Sequence, residues 1–245
     1  MHREITRVSR RGDRAVNQDR SLAVERADCA LLLLADGMGG HPRGELAAQV
    51  FIDSLARQFN EAELPVAEAG EFLVRGIEQA HHAIMAAGRQ QTPPVDPRTT
   101  AVACLVMDRQ VCWAHVGDSR LYLIRNGTVL ERTRDHSLVE ELILCGELEE
   151  SGRATHPLRN YVSRALGGEQ QAPGITLSAR YALQPGDLLL LCSDGLWSSL
   201  PEAQLVGLAD AGALEAAAGE LAVAAELAAR PACDNITLLA CRVTE

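Results

Sequence analysis

The sequence predicts an α+β fold built on antiparallel sheets, on three observations: aliphatic runs of strand length recur along the chain, a strong hairpin turn joins two of them, and separate stretches carry helical periodicity. Residues 20–35 read as two strands with a turn near Arg26 to Asp28, and the second, CALLLLA, is apolar enough to be buried on both faces. It runs into Asp36-Gly37-Met38-Gly39-Gly40. Residues 44–59 place Ala47, Val50, Phe51, Ser54 and Leu55 on one helical face, and residues 70–89 do the same with Leu73, Ile77, Ala80 and Ile84. A Pro-rich loop at Thr92 to Pro97 precedes a hairpin of Thr99 to Met107 with Gln110 to Val116. That second strand ends in Gly117-Asp118-Ser119-Arg120, Leu121 to Ile124 continues as strand, and Asn126-Gly127 turns the chain back into Thr128 to Arg132. Residues 137–165 hold a helix at Leu138 to Cys145 and then a polar stretch that reads as a surface insertion. The run DLLLLCS ends at Asp194-Gly195, a helical region spans about Pro201 to Arg230, and ITLLACRV closes the chain after Asp234-Asn235.

Length and composition bound the function. With 245 residues, 47% of them hydrophobic and 23% charged, the chain has material for one large core, and a single domain over 1–245 is expected. Aromatics are only 3%, too few for base-stacking platforms. All 23 basic residues are arginine, and the net charge of -10 repels polyanions, which excludes nucleic acid and anionic membranes as partners. A phosphate group can still bind wherever a cation or arginine reverses the field locally. The seven cysteines show no paired spacing and mostly sit in apolar runs, as in a reducing compartment. The N-terminal stretch is polar and no apolar run has membrane-spanning length, so a cytoplasmic location is expected.

Asp36, Asp118 and Asp194 each follow an apolar strand and Asp234 directly precedes one, so all four lie where a sheet meets its loops. If they converge, each pair of charges about 4 Å apart costs roughly 4 kcal/mol at an effective dielectric near 20. Bound cations or protons relieve that repulsion, and all-oxygen ligation favours magnesium or manganese over zinc. The alternative is turn chemistry, in which Asp caps its own backbone and Gly supplies positive φ.

The ordered series RAVNQD (14–19), ADGMGGH (35–41), GELAA (44–48), TT (99–100), HVGDSRLYLIRNG (115–127), TRDHS (133–137), RNYVSRALG (159–167), GDLLLLCSDGLW (186–197) and DNITLL (234–239) resembles the metal-dependent protein serine/threonine phosphatases of type 2C in their bacterial form. The resemblance runs from Arg14 to about Val243. It implies a four-layer αββα sandwich, two stacked antiparallel sheets flanked by helices, with two or three Mn2+ or Mg2+ ions at one end. Carried over residue by residue, Asp36 bridges two ions, the Gly37 carbonyl ligates one, Asp194 and Asp234 complete the other's shell, Asp19 supports metal-bound water, and Asp118 with Asp194 forms a third site. Arg14 is the candidate to hold the substrate's phosphoryl oxygens, its guanidinium fork matching phosphate. The reaction implied is in-line hydrolysis by metal-activated water, with no covalent phosphoenzyme. A phosphorylated protein is the implied substrate, a bacterial serine/threonine kinase the implied counterpart, and a monomer the implied state; residues 137–165 correspond to a flap.

Three positions depart from the family pattern. Met38 stands where many eukaryotic relatives have a histidine proposed to protonate the leaving oxygen, which leaves the general acid unassigned between His41, the candidate side chain, and a metal-bound water. Gln18 replaces a frequent glutamate, and Arg98 a frequent glycine before the threonine pair. His115 is expected to pack in its strand, His136 to organise a loop, and His156 to sit in the flap. Two other readings are a non-catalytic phosphoprotein-binding relative and a small-molecule phosphohydrolase on the same fold.

Overall fold

The computed structural model describes residues 2–39, 43–168 and 172–244. In chain order the elements are β1 (Arg3–Arg10), β2 (Arg20–Arg26), β3 (Cys29–Ala35), α1 (Gly44–Glu61), α2 (Ala69–Arg89), β4 (Arg98–Thr99), β5 (Ala101–Met107), β6 (Gln110–Val116), β7 (Arg120–Arg125), β8 (Thr128–Arg132), α3 (Leu138–Leu144), β9 (Leu166–Gly167), β10 (Thr176–Leu177), β11 (Tyr181–Ala182), β12 (Leu188–Cys192), α4 (Asp194–Trp197), α5 (Glu202–Val206), α6 (Leu214–Ala229) and β13 (Ile236–Val243). One sheet has the order β1-β13-β12-β7-β8 and the other β10-β6-β5-β3-β2, with β11 also on β6. Every pairing in both sheets is antiparallel.

The period-two alternation of buried strands sorts side chains into layers. In β3, Leu31 and Leu33 face Phe51, Leu55, Leu73 and Ile77 of α1 and α2. Leu32 and Leu34 face the other way, meeting Leu189 and Leu191 of β12 and Leu239 of β13 between the sheets. Leu188, Leu190 and Leu238 then turn outward under Leu214, Ala218, Leu221 and Ala225 of α6. The result is the expected four-layer sandwich. Each fully buried leucine or phenylalanine stabilises it by about 1.5–3 kcal/mol, and with so few aromatics the alanine-rich α6 gains its stability from close approach to the sheet.

Asn126 and Gly127 both adopt positive φ, the primed turn that the Asn-Gly pair favours, and they close the β7–β8 hairpin. Elsewhere the structure departs from expectation. β1 pairs along all of β13 although no strand is legible there, because its arginine-rich residues are only half-buried on an edge. The helical region 201–230 is broken: α5 passes into a 3-10 turn at Gly207–Asp210 before α6 begins. Leu121 to Ile124 does continue as strand after β6, but in the opposite sheet, so Gly117 to Ser119 is a crossing between layers. Gly117 makes that crossing at φ +100, where an added Cβ would lie 2.7 Å from Thr100. No helix among the described residues is long and apolar enough to cross a membrane.

Candidate active site

Antiparallel register carries the strand-end aspartates to one place. The start of β2 pairs with the end of β3, Arg20 opposite Ala35, which sets Asp19 beside Asp36. In the other sheet the start of β13 pairs with the end of β1, Ile236 opposite Arg10, and the last residue of β12, Cys192, lies between Leu238 and Arg120. Asp118, Asp194 and Asp234 therefore surround the same edge of that sheet. Ser193 joins the two sets, since its Oγ donates to Asp19 Oδ2 at 2.8 Å from across the sandwich.

The electrostatics report the convergence. Burial pushes Asp36 well above the usual carboxylate range, and Asp19, Asp194, Asp118 and Asp234 push it further. Asp118 is raised likewise, by burial and then by Asp194 and Asp135. Burial raises Asp194 to about 6, with Asp234 adding to it and bonds from Asp36 and Gly195 opposing. Asp19 rises to about 7, burial outweighing its bonds to Ser193 and Thr237. Arg14 is the cation within the array: its Nη2 donates to Asp234 Oδ2 at 2.6 Å, and that bond holds the guanidinium charged.

Whether this donor set suits a hard divalent cation has a direct test in Asp19, which is 2% exposed and whose Oδ1 has no hydrogen-bond partner. A buried carboxylate oxygen without a donor costs about 1–3 kcal/mol, and a cation or its water is what such an oxygen accepts. The other groups at the site are oxygens as well, so the residues fit magnesium or manganese. Among the described residues no three of the side chains are already closed into a chelating cluster; they meet pairwise, with Arg14 on Asp234.

Further residues build the site: Asn235, which sequence reasoning gave no role, and Thr99, Thr100 and Gly37 of the motif series. Asn235 Nδ2 donates to the carbonyls of Arg11 and Val16 at 2.7 and 3.1 Å, and its Oδ1 accepts from Gln18 N at 2.8 Å, which clamps the loop that presents Arg14. Thr99 Oγ1 donates to Asp36 O at 2.8 Å and Asp36 N donates to Thr100 Oγ1 at 3.0 Å, so the threonine pair fixes the Asp36 backbone. Thr100 Oγ1 lies 2.7 Å from Ser119 Oγ, tying that backbone to the Asp118 crossing. Gly37 has room for no side chain, as an added Cβ would stand 2.4 Å from the Gly44 backbone.

A cleft of about 970 Å³ opens beside Arg14, Asp118, Asp194 and Asp234. His41 lies outside the described residues. His115 is buried in β6, its Nε2 2.8 Å from Arg134 O, and stacks on His136 with ring centroids 4.6 Å apart. His136 Nδ1 accepts from Gly117 N at 3.1 Å and so braces the crossing. Burial holds both rings neutral, His136 down to about 3. His156 Nδ1 accepts from Leu158 N within its own loop, 3.2 Å away. Gln18 bonds Glu45 at 3.2 Å, and Arg98 bonds Asp96 at 2.7 Å while its backbone pairs with Gly167.

The protein phosphatase 2C family profile matches residues 8–227. The chain belongs to this family. This phosphatase 2C chain is 36% identical over 208 residues to the serine/threonine phosphatase stp of Listeria innocua, covering 84% of this chain and 81% of that one. It superposes on the Streptococcus agalactiae serine/threonine phosphatase with a TM-score of 0.86 at 31% identity, covering 99% and 100% of the two chains. The catalytic domain of Mycobacterium tuberculosis PstP, solved in complex with two manganese ions, gives a TM-score of 0.83 at 30% identity, covering 99% of each.

Proposed function

We propose that this chain hydrolyses phosphoserine and phosphothreonine on proteins, using two or three Mn2+ or Mg2+ ions. The observation that carries the reading is the meeting of Asp19, Asp36, Asp118, Asp194 and Asp234 at one end of the sandwich, with a donorless oxygen on Asp19 and a cleft alongside. Asp36 and the Gly37 carbonyl, with Asp194 and Asp234, would hold two ions; Asp19 would accept from their water, and Asp118 with Asp194 would take a third. When bound, the ions supply an ionised water near neutral pH and neutralise phosphoryl charge.

The chain's own residues handle the ester. Arg14 sits on a loop rather than a strand, its side chain 56% exposed, and its Asp234 partner presents oxygens much as a phosphoryl group does. The guanidinium can therefore exchange one for the other and orient the phosphoryl oxygens for in-line attack. The Thr99–Thr100 pair keeps the Asp36 backbone from yielding as charge changes around it. His41 is our candidate to protonate the leaving oxygen.

In the cell the chain would reverse a bacterial serine/threonine kinase, acting as a cytoplasmic monomer and one catalytic domain over 1–245 whose residues 137–165 form a flap. Manganese-dependent turnover of a phosphopeptide and of para-nitrophenyl phosphate tests the proposal, with Asp36→Ala and Asp194→Ala as controls checked for folding by circular dichroism. Both variants should be folded and inactive. Turnover that survives a chelator, or phosphopeptide binding without turnover in the wild type, would refute it.

A further inference from the structure

Residues 141–165 contain no buried residue, yet Glu150, Arg153, Ala154, Arg159 and Asn160 form a wall of the cleft that Arg14, Asp118 and Asp194 also line. A segment without an apolar anchor needs another reason to stay in place. Its ends are stitched to the body by backbone bonds: Leu138 N donates to Tyr161 O at 3.1 Å and Ser163 N to His136 O at 2.8 Å. Between them, among the described residues, the side-chain hydrogen bonds and ion pairs that leave 146–160 all belong to Arg153.

Arg153 is 12% exposed at its side chain and bridges three carboxylates. Its Nη2 donates to Glu140 Oε2 of α3 at 2.5 Å, its Nη1 reaches Asp135 Oδ2 at 3.3 Å, and its Nε donates to Glu150 Oε1 at 2.6 Å. Asp135 is independently secured, because Arg120 donates to both its oxygens at 2.8 and 2.7 Å. Arg120 in turn lies 3.5 Å over the Trp197 ring, whose Nε1 donates to Asp118 O at 3.0 Å. The inner half of this network therefore stands without Arg153, whereas buried Glu140 has no other ion-pair partner among the described residues. Removing Arg153 leaves Asp135 to Arg120 and takes the ion-pair partner from Glu140, and what gives way is the wall.

From this geometry we propose that Arg153 is a positioning residue: it latches residues 146–160 against Asp135 and Glu140 as a wall of the cleft, and so sets affinity for the polypeptide around a phosphorylated residue. The inference rests on the phosphatase reading. A planar fork is needed to serve three carboxylates at once, which a lysine ammonium does less well.

Arg153→Ala and Arg153→Lys in the full chain, compared with wild type, provide the test. Chymotrypsin, which cuts after Leu148, Leu158 and Tyr161, reports release of the wall directly, and KM and kcat are measured on a phosphopeptide and on para-nitrophenyl phosphate. For Arg153→Ala we expect cleavage within 148–161 about tenfold faster and a phosphopeptide KM raised roughly tenfold, with a rise for para-nitrophenyl phosphate no more than about a third as large. Arg153→Lys falls between the two. Cleavage at the wild-type rate, or equal proportional losses on both substrates, would overturn the proposal. If Arg153→Ala does not fold, the same two readouts on Arg153→Lys decide. Should wild type turn over neither substrate, it is the phosphatase reading that fails, and the chymotrypsin rates still decide the latch.

Discussion

Asp19→Asn should make the metal-free protein more stable while impairing the metal-loaded one. Burial lifts the Asp19 carboxyl from 3.8 to about 7. The folded state thus holds a proton that the unfolded chain releases near 3.8, and stability present at low pH is lost as pH rises through that window. At about 1.4 kcal/mol per pH unit the loss is on the order of 4 kcal/mol by pH 8. Asparagine cannot ionise and avoids it. Its amide oxygen still accepts from Ser193 Oγ, but the NH2 then occupies the donorless place of Oδ1, at a cost of about 1–3 kcal/mol. The net gain in chelator at pH 8 is therefore about 1–3 kcal/mol, a melting temperature higher by roughly 3–10 °C for a chain of this size. Near pH 4 the ionisation loss is absent and only the amide's cost remains, so there the variant should be less stable than wild type by about 1–3 kcal/mol. With saturating manganese at pH 8 the order should reverse, since preferential binding adds more to the wild type. Differential scanning fluorimetry across pH, with chelator and with manganese, reads all of this. A variant no more stable than wild type at pH 8 in chelator would refute the claim that Asp19 is held ready for a cation.

Arg14→Ala should raise the apparent KM for phosphopeptide about tenfold or more with a smaller change in kcat, as charge-assisted phosphate bonds are lost; steady-state kinetics showing both constants unchanged would make Arg14 a bystander. Asn235→Ala strips partners from the Arg11 and Val16 carbonyls and the Gln18 amide. It should cost roughly 2–4 kcal/mol in a denaturant melt and lower kcat/KM through the displaced Arg14 loop. A melt within about 0.5 kcal/mol of wild type would show that the clamp is redundant.

How much of this was legible in the sequence depended on whether the deciding interaction was local. CALLLLA announces a strand buried on both faces, Asn126-Gly127 announces its turn, and the spacing of Leu73, Ile77, Ala80 and Ile84 announces a helix face. β1 announces nothing, because Arg3, Arg7 and Arg10 are tolerated on an edge strand whose partner lies more than 200 residues away. The chain's change of sheet at Gly117 is invisible for the same reason: β6 and β7 read as one continued strand until the partners of each are known. The aspartates were recognisable as strand-end residues, but their meeting is a consequence of register. Asn235 has no local signal, because the loop it clamps lies at the other end of the sequence.

These long-range ties explain how a charge cluster so unfavourable to folding can persist in the fold. Asp36 and Asp194 are set by backbone that other residues hold rigid: the Thr99–Thr100 pair on one side, and on the other Gly195, where an added Cβ would stand 2.1 Å from Asn235 O. The carboxylates cannot retreat from one another without breaking sheet ends, so repulsion is stored as raised proton affinity instead of being relaxed by movement. Arg14 relieves part of it from a loop, outside any strand. The proposed cation centre at the strand ends and the proposed releasable arginine on a loop would divide the work as hydrolysis requires: the groups that must not move are bound by the sheets, and the group that must change partners is not.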